Sequence, residues 1–264
     1  LKAQAKPGEE VTGGSEAEGG AIAHGRWGAV GLRGLDLVTY PWDEERMEPD
    51  IDAAASLIRE EEPKIALFGQ SVFLFPTPLE ELSQAAHEVG ATVMYDAAHV
   101  MGLVAGGKFQ DPLKEGADVM TGSSHKTFPG PQGGFVLSDS DDEKLHRRLN
   151  SEIFPGVCSS YHLHHVAGKT IALSEFEEFG HSYAEDIVAN ARALGAALSS
   201  EGFDVIAEER GFTASHPVVP RHGDVASGAG REAGATLQHA GRTQTPNVLP
   251  SHTQATTPSD NRHT

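Results

Sequence analysis

Apolar residues in this chain alternate between two rhythms. Ile51, Ala54, Ala55, Leu57 and Ile58 repeat at helical spacing, and Pro63 stops that helix just before the unbroken apolar run Ile65-Ala66-Leu67-Phe68. The pattern predicts a helix feeding a buried strand. Downstream it recurs: a helix is predicted over 79–89 and ended by Gly90, a strand over 92–95, and shorter strands over 117–120 and 134–137. Short apolar strands between amphipathic helices predict an α/β fold whose mostly parallel sheet is covered by helices on both faces. Binding sites in such sheets lie at the C-terminal ends of the strands.

A long helix is predicted over 174–199, with Ile187, Ala191, Leu194 and Leu198 on one face, followed through Gly202 by a strand over 203–206. The expected division is a large domain over 1–172, a linking helix and the start of a small C-terminal α+β domain over 173–219, and a weakly ordered tail over 220–264. Thr, Ser, Gln, Pro and His dominate the end of that tail. Residues 6–25, rich in Gly and Glu and without periodic apolar positions, read as loop. The opening Leu1-Lys2-Ala3 resembles the end of a helix running into Pro7-Gly8, as if the chain were entered partway through a domain.

Composition narrows the function classes. With 264 residues and 38% hydrophobic side chains the chain can bury a sizeable core. Twenty Lys+Arg against 38 Asp+Glu give a net charge of -18, which repels phosphate backbones and anionic lipid and argues against nucleic-acid or membrane partners. The acid excess fits a well-solvated surface and equally a halophilic adaptation to high internal salt. The single cysteine, Cys158, permits no intrachain disulfide and no cysteine-based metal cluster, and it is expected to be a small buried or interface residue. No apolar run has membrane-spanning length and no signal-peptide pattern opens the chain, so a reducing, cytoplasmic setting is expected. Phe73, Phe75, Trp27 and Trp42 read as core or loop packing.

The chemistry-bearing residues lie at two predicted strand ends. Tyr95-Asp96-Ala97-Ala98-His99 closes one strand, and thirty positions after Asp96 comes Lys126 in Ser123-Ser124-His125-Lys126-Thr127. An acid and an amine brought together in this way suit pyridoxal phosphate, which needs an amine for a Schiff base and a carboxylate to keep its pyridine nitrogen protonated. Glycine-rich segments follow both: Gly102-Leu103-Val104-Ala105-Gly106-Gly107 and Phe128-Pro129-Gly130-Pro131-Gln132-Gly133-Gly134.

On these two runs, DAAHVMGLVAGG and SSHKTFPGPQGG, the sequence resembles the serine hydroxymethyltransferases, a family of fold-type I pyridoxal-phosphate enzymes, and its archaeal-type members in particular. The resemblance implies that Lys126 forms the Schiff base, that Asp96 pairs with the pyridine nitrogen and that His99 sits beside the phenolic oxygen. It further implies that His125 helps position the ring and proton transfers, and that Ser71, in Gly69-Gln70-Ser71, lies near cofactor and substrate. Pro258-Ser259-Asp260-Asn261-Arg262 resembles the family's Pro-Ser-Gly-Ile-Arg, which makes Arg262 the candidate clamp for a substrate carboxylate. The implied reaction interconverts serine and glycine with tetrahydrofolate as one-carbon acceptor, in a homodimer. A metal reading of His162-Leu163-His164-His165 gives way to a family segment that begins a helix near the subunit interface, and no metal is expected.

Departures from the pattern open two alternatives. In Gly19-Gly20-Ala21-Ile22-Ala23-His24-Gly25 the family's ring-stacking histidine is replaced by Ala21, while His24 is retained. Val157-Cys158-Ser159-Ser160 follows Phe154-Pro155-Gly156 where many relatives have a glycine pair. The Ser-Gly-Ser-x-Ala-Asn phosphate loop and a catalytic glutamate, which precede the region matching Leu1, have no counterpart in the sequence, so an N-terminally truncated chain is expected. The alternatives are an aldolase that cleaves β-hydroxy amino acids without folate, using the same lysine and aspartate, and a catalytically inactive remnant or interaction subunit.

Overall fold

The computed structural model describes residues 1–221. In chain order the strands are β1 (Glu10–Gly13), β2 (Asp36–Thr39), β3 (Trp42–Asp43), β4 (Glu48–Pro49), β5 (Ile65–Phe68), β6 (Thr92–Asp96), β7 (Val119–Ser123) and β8 (Gly134–Leu137). The helices are α1 (Ala29–Arg33), α2 (Ile51–Glu61), α3 (Leu79–Glu88), α4 (Met101–Ala105), α5 (Glu143–Ile153) and α6 (Leu163–Ser200). The main sheet has the order β2-β1-β5-β6-β7-β8, parallel throughout except for β8, which runs antiparallel to β7. This is the mostly parallel α/β sheet that the alternating rhythms predict.

Side chains of the central strands alternate between two cores. Ala66 and Phe68 of β5 and Val93 and Tyr95 of β6 face the larger one, which α2, α3, α4 and α6 complete. Ile65, Leu67 and Met94 face the other side, where Ala5, Val30 of α1 and Leu35 cover them. Asp50 begins α2 by accepting a 2.9 Å hydrogen bond from the Ala53 amide, so the start read from the sequence is a capped one.

Helix α6 departs from expectation in length and in part of its facing, for Ala191 is buried and Ile187 packs against the core as predicted but Leu194 does neither. It begins at Leu163, and its buried positions are Ala172, Phe176, Gly180, Ala184, Ala191 and Gly195, whereas Leu194 is 54% exposed. Small residues let it approach α4 closely: a Cβ on Gly106 would stand 2.5 Å from the Ala184 Cβ. Hydropathy alone marks the wider leucines, but close packing selects the narrower face.

Two segments and one residue read differently in the structure. Residues 6–25 contain β1, between β2 and β5, where Val11 and Thr12 are fully buried. Residues 203–206 form no strand. Val205 makes a single antiparallel bridge with Pro220, the Ile206 amide donates to Val219 O at 3.0 Å, and Val205, Ile206 and Ala207 turn inward. Ile206 and Ala207 join Met47, Val72, Leu74 and Phe75 in a second small core beside the β3–β4 hairpin. The buried Glu48 carboxylate pairs there with Arg46 at 2.6 Å and Arg210 at 3.6 Å, while Arg210 lies 3.7 Å over the Phe75 ring. Cys158 is exposed rather than buried, and Trp27 lies on the surface beneath Arg26. Arg262 and the tail beyond 221 lie outside the described residues.

Candidate active site

Two neighbouring strands end at the same edge of the sheet. Asp96, the last residue of β6, is the register partner of Thr121 on β7, and the Ala97 amide extends the ladder by donating to Thr121 O at 2.7 Å. Beyond this point β6 turns into α4 and β7 runs into the loop that carries Lys126. The two paths leave a cleft of ≈ 350 Å³ lined by Asp96, His99, Ser123 and Lys126, with Gln70 and Ser71 after β5 and Ala21–Ala23 on the opposite wall. Asp96, Lys126, His99 and Ser71 are thus brought together at the strand C-termini, as the sequence predicts.

Asp96 is fixed from both sides. His24 Nε2 lies 2.8 Å from Asp96 Oδ2, and the Ala98 amide donates to Oδ1 at 2.9 Å. Burial alone would raise the carboxyl pKa, but the His24 hydrogen bond and charge, the Ala98 amide and the Lys126 charge outweigh it and hold Asp96 below the usual carboxylate range. A charge is therefore maintained at the cleft floor. His24 is itself buried, and its Nδ1 has no partner among the described residues. Gly69, at φ 117, lets β5 pass against this corner, since any side chain there would collide with the Asp96 carbonyl.

The Lys126 loop is stapled to the turn that carries His99. Thr127 Oγ1 donates to His99 O at 2.8 Å and accepts from the Gly102 amide at 3.1 Å. Gly102 is needed for that approach, because a Cβ would collide with the Thr127 carbonyl and stand 2.7 Å from the Phe128 amide. Ser124 closes the far end of the loop, its Oγ donating to Pro131 O at 2.7 Å. His99 is pushed down to about 4, first by burial and then by the Lys126 charge, against the opposing pull of Asp96. Its imidazole is therefore neutral at pH 7.

His125 stands apart from this group. It is exposed, and its Nδ1 accepts from the Gly133 amide at 3.3 Å, so it braces the glycine-rich loop instead of lining the cleft. Ser71 anchors the opposite wall through its backbone, its amide donating to Gly19 O at 2.9 Å. That wall presents the methyl group of Ala21, and no aromatic ring, to the cleft. His162, His164 and His165 lie at the start of α6 with ring centroids 4.4 to 5.5 Å apart. Among the described residues no group of three or more His, Cys, Asp or Glu side chains is disposed to hold a metal ion. No described helix is long and apolar enough to cross a membrane.

Two contributors escape a reading by spacing. His24 stands 72 positions before Asp96, and only its retention within the Gly-Gly motif singles it out. His216 lies parallel to His99, with ring centroids 6.0 Å apart and planes inclined by 12°, and carries no signal in the sequence at all.

The family profile described as serine hydroxymethyltransferase matches residues 1–263. Serine hydroxymethyltransferase of Pyrococcus abyssi is 51% identical over 247 residues, 93% of this chain and 58% of the relative. That of Thermoplasma acidophilum is 47% identical over 251 residues, 95% of this chain and again 58% of the relative. The chain therefore spans a little over half the length of the curated relatives it matches. Among solved structures, an L-threonine transaldolase from Pseudomonas fluorescens, in its internal aldimine state, superposes with a TM-score of 0.86 at 30% identity. That superposition covers 94% of this chain and 56% of the transaldolase, and the shared fold is the fold-type I pyridoxal-phosphate transferase fold. From its matched profile and its archaeal relatives, this chain belongs to the serine hydroxymethyltransferase family.

Proposed function

We propose that this chain carries the pyridoxal-phosphate site of a serine hydroxymethyltransferase, and that the whole protein interconverts serine and glycine with tetrahydrofolate as one-carbon acceptor. The observation that carries the reading is the ionised Asp96 facing the Lys126 amine across one cleft at neighbouring strand ends. The cleft's ≈ 350 Å³ falls in the range of small-molecule sites, and an amine opposite a fixed carboxylate complements this cofactor's aldehyde and ring nitrogen. When bound, pyridoxal phosphate supplies a conjugated ring that takes up the charge left at a substrate α-carbon. Lys126 would be its covalent anchor and Asp96 would hold a proton at the ring nitrogen. His24 and the Ala98 amide keep Asp96 charged for that task. His99, neutral, contributes a hydrogen-bonding imidazole to the same cleft. Ser71 lines the substrate side, His125 steadies the loop behind Lys126, and Arg262, outside the described residues, is the carboxylate clamp.

The test is to add pyridoxal phosphate to the chain, reduce with borohydride and map the modified lysine by mass spectrometry, with Lys126→Ala alongside. Selective labelling at Lys126 is expected. Absent or indiscriminate labelling of a folded chain overturns the reading in favour of an inactive remnant.

The transaldolase neighbour favours a second reading, β-hydroxy amino acid cleavage without folate. Cleavage of threonine alone, with no turnover of serine and tetrahydrofolate, decides for it. We also propose a homodimer, in which the apolar side chains left exposed just before and along the start of α6, Tyr161, Leu163, Val166 and Ile171, meet a second copy. Sedimentation as a monomer would dismiss this. A cytoplasmic location, tolerance of high salt and a small C-terminal domain beginning within 173–219 complete the proposal, the second supported by the charge of -18.

A further inference from the structure

The segment that returns after α6 brings an imidazole to the cleft by a route the strands do not provide. Phe212 adopts a left-handed backbone at φ 70 and seats its ring on Gly195 of α6, where a Cβ would stand 2.6 Å from the ring. The next residue is clasped from three directions. Thr213 Oγ1 donates to Leu74 O at 3.2 Å and accepts from the Ser215 amide at 2.9 Å, and Arg192 Nε donates to Thr213 O at 2.8 Å. The Ala214 amide adds a second bond to Leu74 O at 2.8 Å. Thr213 and Ser215 are fully buried. At the end of this clasp Ser215 Oγ is hydrogen-bonded to His216 Nδ1 at 3.1 Å, which fixes the ring, and that ring lies parallel to His99.

We propose that His216 is a positioning residue for His99: its ring sets the orientation of the His99 imidazole toward Lys126, and the Thr213–Leu74 clasp sets its own place. His216 is not among the residues that line the cleft, so it acts through its neighbour. The charged and titratable groups around the pair are Lys126 and Asp96 facing His99, and His99 and Lys126 facing His216. Burial, the unfavourable proximity of a second imidazole and the Lys126 charge push His216 down to about 4, and burial and the Lys126 charge do the same to His99, so two neutral rings stack without repulsion at pH 7. The consequence for cofactor handling rests on the reading of the cleft given above. The ring contact does not.

The experiment follows the His99 ring resonances of the 264-residue chain by NMR across pH, without cofactor, in wild type, His216→Ala and His216→Phe. Removal of the ring admits water to His99, so in His216→Ala its titration midpoint is expected to rise by about one pH unit. His216→Phe, which refills the space, is expected to bring it back most of the way. A His99 titration in folded His216→Ala that overlays wild type overturns the proposal. Should that variant fail to fold, cross-relaxation between the His99 and His216 ring protons in wild type decides: its presence supports the contact and its absence overturns it. Failure of Lys126 labelling by pyridoxal phosphate in the same wild-type sample would remove the cofactor reading while leaving the ring titration to judge His216.

Discussion

Asp96 and the Lys126 loop reach the cleft from the ends of β6 and β7, two strands in continuous register, whereas His216 arrives from a segment with no regular secondary structure. Backbone ladders place Asp96 and the end of β7, and the Thr127 and Ser124 hydroxyls hold the short remaining loop to Lys126. The second arrival depends on two hydroxyls, one arginine and a left-handed phenylalanine. A site can thus combine a floor defined by the sheet with a flank defined by a few side-chain bonds. The two should respond differently to mutation.

The largest effect is expected where the floor is overfilled. Gly102→Ala forces a methyl group into the Thr127 carbonyl, and with backbone on both sides neither can yield cheaply; a loss of about 3 kcal/mol is expected in denaturant melts. Lys126 labelling should fall with it. Next comes His24→Phe, which deprives Asp96 of its closest partner and should cost about 2 kcal/mol at pH 7. The folded carboxyl sits below its ordinary value of 3.8, so its contacts contribute stability that is fully present above that pH and lost as pH falls through the folded value. The gap between wild type and His24→Phe should therefore begin to narrow below about pH 4 and close once the folded value is passed, and a gap that stayed constant throughout would assign the loss to packing.

Thr213→Val probes the clasp. Removing the hydroxyl leaves the Ser215 amide unpaired and should cost about 1 kcal/mol, with the change confined to residues near His216 and with Lys126 labelling retained. A loss as large as that of Gly102→Ala would erase the distinction between floor and flank. The smallest effect concerns acid. His99 and His216 are held near 4 in the fold against 6.5 ordinarily, so the unfolded chain takes up protons first, and stability should decline as pH drops from 6.5 toward 4. Both rings are partly exposed, so a shift of only a few degrees in Tm between pH 7 and pH 5 is expected, flattened in a His99→Phe, His216→Phe double variant.

The parts of the fold that announce themselves are those built on apolar runs, fully buried in β5 and alternately buried in β6. Ile65–Phe68 and the strand ending at Asp96 carry continuous apolar runs, and α2 carries its own cap. By contrast, β1 lies deep in the sheet but offers only Val11 as a large apolar side chain, with Thr12 and Gly13 beside it and two glutamates before it. Its burial comes from its neighbours. The predicted face of α6 holds at Ile187 and Ala191 and fails at Leu194 for a related reason: hydropathy counts the leucine, while packing against α4 selects Gly180 and Ala184. At the site, Asp96, His99 and Lys126 were legible because strand ends collect chemistry and the motifs are specific. The contact of His24 with Asp96 and the stacking of His216 on His99 join residues far apart in the chain, and no local pattern encodes such meetings.

The double bond of Thr127 has a further consequence. Its hydroxyl takes the Gly102 amide as donor and gives its own proton to His99 O, so the loop bearing the lysine and the turn bearing the histidine cannot separate unless that amide is released. Deuterium uptake at the Gly102 amide then becomes a clock for how often Lys126 leaves its station, readable without substrate or cofactor.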